Sequence, residues 1–600
     1  MFLRRIKQRR GNQTYTYFAL VETARTPNGS VRQRTVCYLG RLDNLRPPDW
    51  LHIAERLPDP AWLPLLMQEV GYTPPQGPGG PARSVTIDPD SIVWANPRRL
   101  GDIHVGLSAW QLLGFDHLLR RLVGHFRTCV PLHKIAAIIA VNRLVEPRSE
   151  LGIHRWLPTT ALPELLDVPR DRVPLNLLYR CLSAVEPHKP TIETHLANHA
   201  RDLFHSDTDL VLYDLTSTYF EGRMARNPKA QRGYSRDHRS DCKQLCIGLA
   251  VNRDGFPLGY ESLAGNTRDA QTLNPLIEKL EQRCGGRRRL VCFDRGMATE
   301  GNLRHWRLTK RHYLCAVRRC LVCPYLPQIR DGAWQTLPHR DPVAQIEVQE
   351  LPPQSLDGVT ERWLLCRSAG CQLKERQIFA ARLSKARAKL ARLRTQVLAG
   401  TFTTDSVILR KAANAVGRTH DLRGVFTFTI RCATTSKELD IVEDADALAE
   451  EGDLQGVYLL RTTTPDLEPE DLWHTYTLLT RVEAAFRNLK TDLCLRPIFH
   501  HKEARADAHV LFAVLAYALS MAIQGRHRQQ GGTLTTAALL EQVERIQLAE
   551  LSFTTVDGNR LRFERASVPT AEQQGLLEAL GWPLPARYLP PNLGTEPARL

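Results

Sequence analysis

Residues 208–220, TDLVLYDLTSTYF, mark the place where the hydrophobic periodicity of this chain changes. Upstream, VGLSAWQLLGFDHLLRRLVGHF and LHKIAAIIAVNRLV repeat apolar residues at three and four, which predicts helices from about 98 to 205. From 208 onward the pattern predicts strands. The run Leu210-Val211-Leu212-Tyr213 is a buried strand that ends on Asp214, and KQLCIGLAVNRDGFPLGYESLAG reads as two strands about an Asp254-Gly255 turn. DAQTLNPLIEKLEQRC then reads as an amphipathic helix, and RRRLVCFDRG as a short buried strand ending on Asp294. EGNLRHWRLTK reads as a helix and HYLCAVR as a further strand.

A three-strand meander followed by alternating helices and strands predicts a mixed α/β (α+β multidomain) chain with an RNase H-like core. Between about 320 and 470 the pattern is interrupted by AQIEVQEL, ERWLLCRS, GVFTFTIRC and GVYLLRTT, all strand-like, and by the basic helix KERQIFAARLSKARAKLARLRTQV. The expected organisation has a β-rich basic region and linker at 1–90 and a helical region at 91–205. The catalytic core occupies 206–320 and 471–525, an insertion domain 321–470, and a C-terminal appendage 526–600. Within the first part, TYTYFALVE and QRTVCYLG alternate around Asn28-Gly29 as a hairpin does, and PPQGPGGPA at 74–82 has the composition of a linker.

Three acids stand where one chemistry would place them. Asp214 and Asp294 are expected at strand ends. Glu483 is expected inside one helix running from Tyr476 to Lys490, YTLLTRVEAAFRNLK. At about 100° per residue, Tyr476, Glu483, Arg487 and Lys490 fall on one stripe of that helix. Hard oxygen ligands suit Mg²⁺ or Mn²⁺, and two such ions drive in-line displacement at phosphorus. Turn and strand-end acids are the plain alternative for both aspartates, and an exposed surface helix for Glu483. The continuation LTSTYFEG lacks a glycine-rich phosphate cradle, which excludes a P-loop NTPase.

Composition points to a polyanionic partner. The 600 residues carry a net charge of +16 and a pI near 9.3. Arg4, Arg5, Lys7, Arg9, Arg10, Arg25, Arg32, Arg34, Arg41 and Arg46 face only Glu22, Asp43 and Asp49 in the first fifty residues. The N-terminus has no apolar run of a secretory signal, no stretch of about 18 apolar residues is expected to span a membrane, and the fourteen cysteines read as reduced thiols of a cytosolic protein.

At Asp214, Asp294 and Glu483 the chain resembles the DDE transposases of bacterial insertion sequences, specifically the IS-four superfamily. Its signature Y-x2-R-x3-E-x6-K is met by Tyr476, Glu483 and Lys490, while Leu479 stands where the arginine belongs. Asp294-Arg295-Gly296 is similar to the family's central aspartate block, and Glu503-x-Arg505-x-x-Ala508-His509 to its run after the glutamate. The resemblance extends from MFLRR to GWPLP. It implies a bacterial, cytoplasmic, nucleoid-associated enzyme that cuts at transposon ends and joins the freed 3′-OH to target DNA. Asp214, Asp294 and Glu483 would hold two Mg²⁺ or Mn²⁺ ions, and Tyr476, Arg487 and Lys490 would contact DNA. Regions 1–90 and 91–205 would bind the terminal inverted repeats, and a homodimer would pair the two ends. Two other readings share these residues: a DNA-binding remnant without catalysis, given Leu479, and an RNase H-fold nuclease that cuts without joining.

Further features divide between packing and function. Cys320-x2-Cys323 with Cys366-x4-Cys371 fits a zinc site loosely and is not assigned ligands. Cys242-x3-Cys246 reads as packing. Trp334 and Trp363 are core tryptophans by default, with base stacking as the alternative the resemblance suggests. The helix bearing Arg376, Arg382, Lys385, Arg387, Lys389, Arg392 and Arg394 reads as either a DNA-tracking surface or a coiled-coil arm.

Overall fold

The computed structural model describes residues 2–10, 13–25, 31–40, 42, 53, 57, 62–69, 87–204, 210–283, 289–338, 345–417, 422, 424–432, 437–556 and 558–589. The Asn28-Gly29 turn and the 74–82 linker lie outside them. Residues 1–92 with 553–561 form one compact unit and the remainder a second. In the first, β1 (Phe2–Arg10), β2 (Gln13–Arg25) and β3 (Val31–Gly40) make an antiparallel sheet over Phe18, Leu20, Leu39 and Leu66.

The second unit is mixed α/β, as expected. Its strands are β4 (Val93–Arg99), β5 (Leu210–Tyr219), β6 (Gln244–Val251), β7 (Pro257–Ala264), β8 (Leu290–Phe293) and β9 (His312–Ala316). They continue with β10 (Gln335–Leu337), β11 (Ile346–Leu356), β12 (Val359–Ser368), β13 (Phe426–Cys432), β14 (Lys437–Glu443), β15 (Val457–Thr462) and β16 (Gln547–Thr554). One nine-stranded sheet runs β10-β11-β12-β15-β9-β8-β5-β6-β7. β5, β8 and β9 are parallel, and β6 and β7 return antiparallel on one side. β5 and β6 are buried almost throughout because both their faces are covered, and β6 is correspondingly apolar. Gly248 of β6 has no room for a Cβ: one would come within 2.5 Å of the Tyr213 hydroxyl. The β6–β7 turn is set by Asn252, whose Oδ1 accepts from the amides of Asp254 (3.0 Å) and Phe256 (2.8 Å), with Gly255 at φ 89°.

The structure departs from the sequence expectations at three places. Asp214 lies in the middle of β5, not at its end, because the strand continues through Thr216, Ser217 and Thr218 to pair with β6. The strands expected within 321–470 extend the main sheet: β12 pairs with β15, and β15 with β9. Among the described residues, the helices Ala369–Leu398 and Asp405–Val416 and the β13–β14 hairpin share a small core around Leu390, Leu393, Ile408 and Leu439, and a second cluster gathers Val322, Ile329, Leu351 and Val457. The single helix expected from Tyr476 to Lys490 is two, Pro469–Thr477 and Thr480–Thr491. The Thr477 hydroxyl donates to the His474 carbonyl (2.7 Å) and that of Thr480 to the Thr477 carbonyl (2.8 Å). Side chains of this kind compete with the helical backbone and favour its interruption.

The helices Gly101–Leu112, Leu132–Val145 and Leu175–Val185 pack on the helix Glu503–Gln529. That helix is long and apolar enough to cross a bilayer, contrary to the expectation of no such run, but it is buried along nearly its whole length as the central helix of this core.

Candidate active site

The register of one parallel strand pair builds the site. β5 and β8 pair from Leu210↔Leu290 to Tyr213↔Phe293, so Asp214 and Asp294 follow side by side, one residue beyond the last pair. Adjacent strands lie about 4.8 Å apart, and side chains at one register point to one face. A turn closed by the Met297 amide on the Asp294 carbonyl (3.0 Å) ends β8 there. Asn302 holds this turn by donating to the carbonyls of Met297 (2.9 Å) and Ala270 (2.8 Å).

The helix Thr480–Thr491 packs on β5 and β6, with Glu483 exposed in its first turn. Asp214, Asp294 and Glu483 all line one cleft of about 520 Å³. Burial, helped by the neighbouring Asp294 and Asp269 charges, pushes the Asp214 carboxyl up to about 7. The Leu215 amide (2.7 Å) and Arg236 oppose the rise. Among the described residues no three His, Cys, Asp or Glu side chains close into a ligand group for one ion. The three carboxylates share the cleft without converging on a point.

The remaining expected residues divide. Tyr476, on the preceding helix rather than on the glutamate's stripe, lines the cleft with its hydroxyl pushed well up by burial. Leu479 also lines it, at the break between the two helices. Arg487 is exposed and does not line the cleft. Lys490 is not a free cation: its Nζ pairs with Asp237 at 2.9 Å, Arg496 joins the same carboxylate, and burial lowers its pKa. The sequence reading missed Arg236 and Asp269, which pair at 2.8 Å beside Asp214; Arg236 comes from a loop without a motif, and Asp269 opens the short 3-10 turn Asp269–Gln271. It also missed Arg295, Arg319 and Glu375 on the cleft wall.

The family model for the transposase DDE domain matches residues 206–519. The chain belongs to the DDE transposases. A second family model, the N-terminal domain of IS1634 family transposases, matches residues 3–58 of the same chain. No curated protein matches it. The protein is therefore an insertion-sequence DNA transposase, an enzyme of DNA cleavage and strand transfer.

Trp334 and Trp363 are partly buried against the cluster of Val317, Leu351 and Val457, with Arg367 and Arg461 over their rings at 4.4 and 4.7 Å. Cys366 is buried, whereas Cys320, Cys323 and Cys371 are exposed and form no ligand group with it. Cys246 is buried on β6 as read, whereas Cys242 precedes that strand, half-buried beside Arg239 and Asp241. The basic helix Ala369–Leu398 buries Ala386, Leu390, Leu393 and Val397. It pairs Arg387 with Glu443 (2.6 Å) and Arg394 with Glu438 (2.9 Å) on β14, while Arg376, Lys385, Lys389 and Arg392 face solvent.

Proposed function

We propose that this transposase belongs to the IS-four superfamily and cuts DNA with Asp214, Asp294 and Glu483 as its catalytic carboxylates. One observation carries the assignment: a parallel register sets the two aspartates side by side, and Glu483 lines the same cleft. The strand order β7-β6-β5-β8-β9 supports an RNase H-like core. Two Mg²⁺ or Mn²⁺ ions held there would supply Lewis-acid stabilisation of the attacking and leaving oxygens. The donor set fits such ions, being hard carboxylate oxygens, and so does its electrostatics, since burial beside the Asp294 and Asp269 carboxylates raises the Asp214 carboxyl to about 7 and a cation there would favour its ionised form. Asp214 must give up its proton before it can act as a ligand. Glu483, exposed on a first helical turn, has the freedom to swing towards the aspartates. The protonated Tyr476 hydroxyl is a donor for a phosphate oxygen, and Arg487 offers an exposed cation to the flanking backbone.

In this reading regions 1–90 and 91–205 bind terminal inverted repeats, 206–320 and 471–525 form the catalytic core, 321–470 is the insertion and 526–600 an appendage. A homodimer pairs two ends and joins them to target double-stranded DNA in the bacterial cytoplasm, at the nucleoid. The test is a plasmid carrying the gene with its native flanks, incubated with protein and Mg²⁺. Excision with strand-transfer products is expected. Cutting without joining would assign a nuclease, and binding without cutting a remnant.

A further inference from the structure

The connection from β5 to β6, residues 220–243, is a long ordered loop without helix or strand, a kind of segment that commonly serves function. It is pinned along its length. The Glu221 amide donates to the Ile498 carbonyl (3.1 Å), and Lys229 pairs with Asp507 (2.7 Å) and Glu503 (3.3 Å) of the central helix. The Arg236 amide donates to Ser217 Oγ (3.1 Å), its guanidinium pairs with Asp269, and Asp237 accepts from Lys490 of the glutamate helix. Ser217 lies three residues beyond Asp214 on β5, and Asp237 is held by the helix that carries Glu483, so the loop is anchored to the two elements that carry cleft acids.

Between these pins Arg223, Arg226 and Arg232 are exposed and make no ion pair or hydrogen bond among the described residues. Tyr234 is 81% exposed, the most exposed large hydrophobic side chain described. A solvated surface tyrosine is the plain reading. Against it stands the pinning of its immediate neighbours, Arg236 and Asp237, to the site. Cations that track a backbone, interleaved with an aromatic that offers a face to a base, are what single-stranded nucleic acid requires.

We propose that the 220–243 loop grips an unpaired DNA strand beside the cleft, with Arg223, Arg226 and Arg232 on phosphates and Tyr234 stacked on a base. The proposal rests on the transposase reading of the site and adds to it a strand-binding surface.

The test uses the full chain in EDTA, with a blunt duplex and the same duplex bearing a short single-stranded overhang, both followed by fluorescence anisotropy. Tyr234→Ala should weaken overhang binding roughly ten-fold and leave blunt binding unchanged, while Tyr234→Trp retains both. Replacing Arg223, Arg226 and Arg232 together by alanine should lower the slope of log affinity against log salt by about two to three. Wild-type affinity of Tyr234→Ala for the overhang, equal losses on both DNAs, or an unaltered salt slope would each overturn the proposal. Failure of the wild-type protein to cut DNA with Mg²⁺ would instead count against the active-site reading, which these metal-free measurements do not touch.

Discussion

Asp214 titrates near neutrality because burial, then the charges of Asp294 and Asp269, oppose its ionisation. Its unfolded value is about 3.9. A folded carboxyl raised to about 7 contributes stability that is fully present below about pH 4 and is lost as pH rises through 7. Mg²⁺ should therefore stabilise the protein more at pH 8 than at pH 6, read as a thermal shift, and Asp214→Asn should lose that pH dependence. An equal shift at both pH values would remove Asp214 from the ligand set. Asp214→Asn, Asp294→Asn and Glu483→Gln should each lower cleavage roughly a hundred-fold or more, with DNA affinity retained in gel shifts. Leu479, at the cleft, is the place to add a cation. Leu479→Arg should raise cleavage about ten-fold or more if its guanidinium meets a phosphate in the transition state. Arg487→Ala should then cost the same factor with or without that change, since Arg487 stands outside the cleft. That the three acids share a cleft was legible from two signals: Asp214 and Asp294 end apolar runs, and Glu483 sits in the helix segment that carries the resemblance to the family signature. Arg236 and Asp269 were not, since a loop position has no period, a helix-start acid looks like an ordinary cap, and only the fold brings the two to β5.

Between β9, β12 and β15 lies an ionic cluster that no sequence pattern announces. Glu361, fully buried, accepts from Arg307 (2.7 Å) and Arg461 (2.6 Å), and Arg307 also pairs with Asp357 (2.8 Å). The Tyr313 hydroxyl of β9 donates to the same Glu361 carboxylate. These contacts tie strands from 312–316, 359–368 and 457–462 into one sheet. Removing one partner leaves buried charge uncompensated, so Glu361→Ala should cost about 3–5 kcal/mol in urea denaturation. A loss under about 1 kcal/mol would mean that the cluster is not what joins these strands. The strands themselves were readable from apolar runs. Their attachment to the main sheet was not, because the pairing partners are far apart in sequence, as Leu314 of β9 and Thr462 of β15 are. The helix break at Leu478–Leu479 escaped for another reason: the apolar period continues across it while the threonine hydroxyls redirect the backbone.

The whole molecule is cationic, so DNA affinity should fall steeply as salt rises. Its units differ in what can be removed. The helices of 101–185 share a core with the central helix, and cutting them away would expose that core and unfold the rest. Removing residues 1–70 should instead leave Mg²⁺-dependent cleavage while abolishing preference for the element's own ends, measured by competition with unrelated DNA. Retained preference would place end recognition elsewhere in the chain. Finally, the parallel pair β5–β8 brings both aspartates together early in the chain, whereas Glu483 comes 189 residues later. At 5–20 residues per second a ribosome needs roughly 10–40 s to cover that interval. Throughout it the nascent chain holds two of the three acids and lacks the third. Under the proposed assignment, a chain that ends before residue 483 therefore cannot complete the three-acid site.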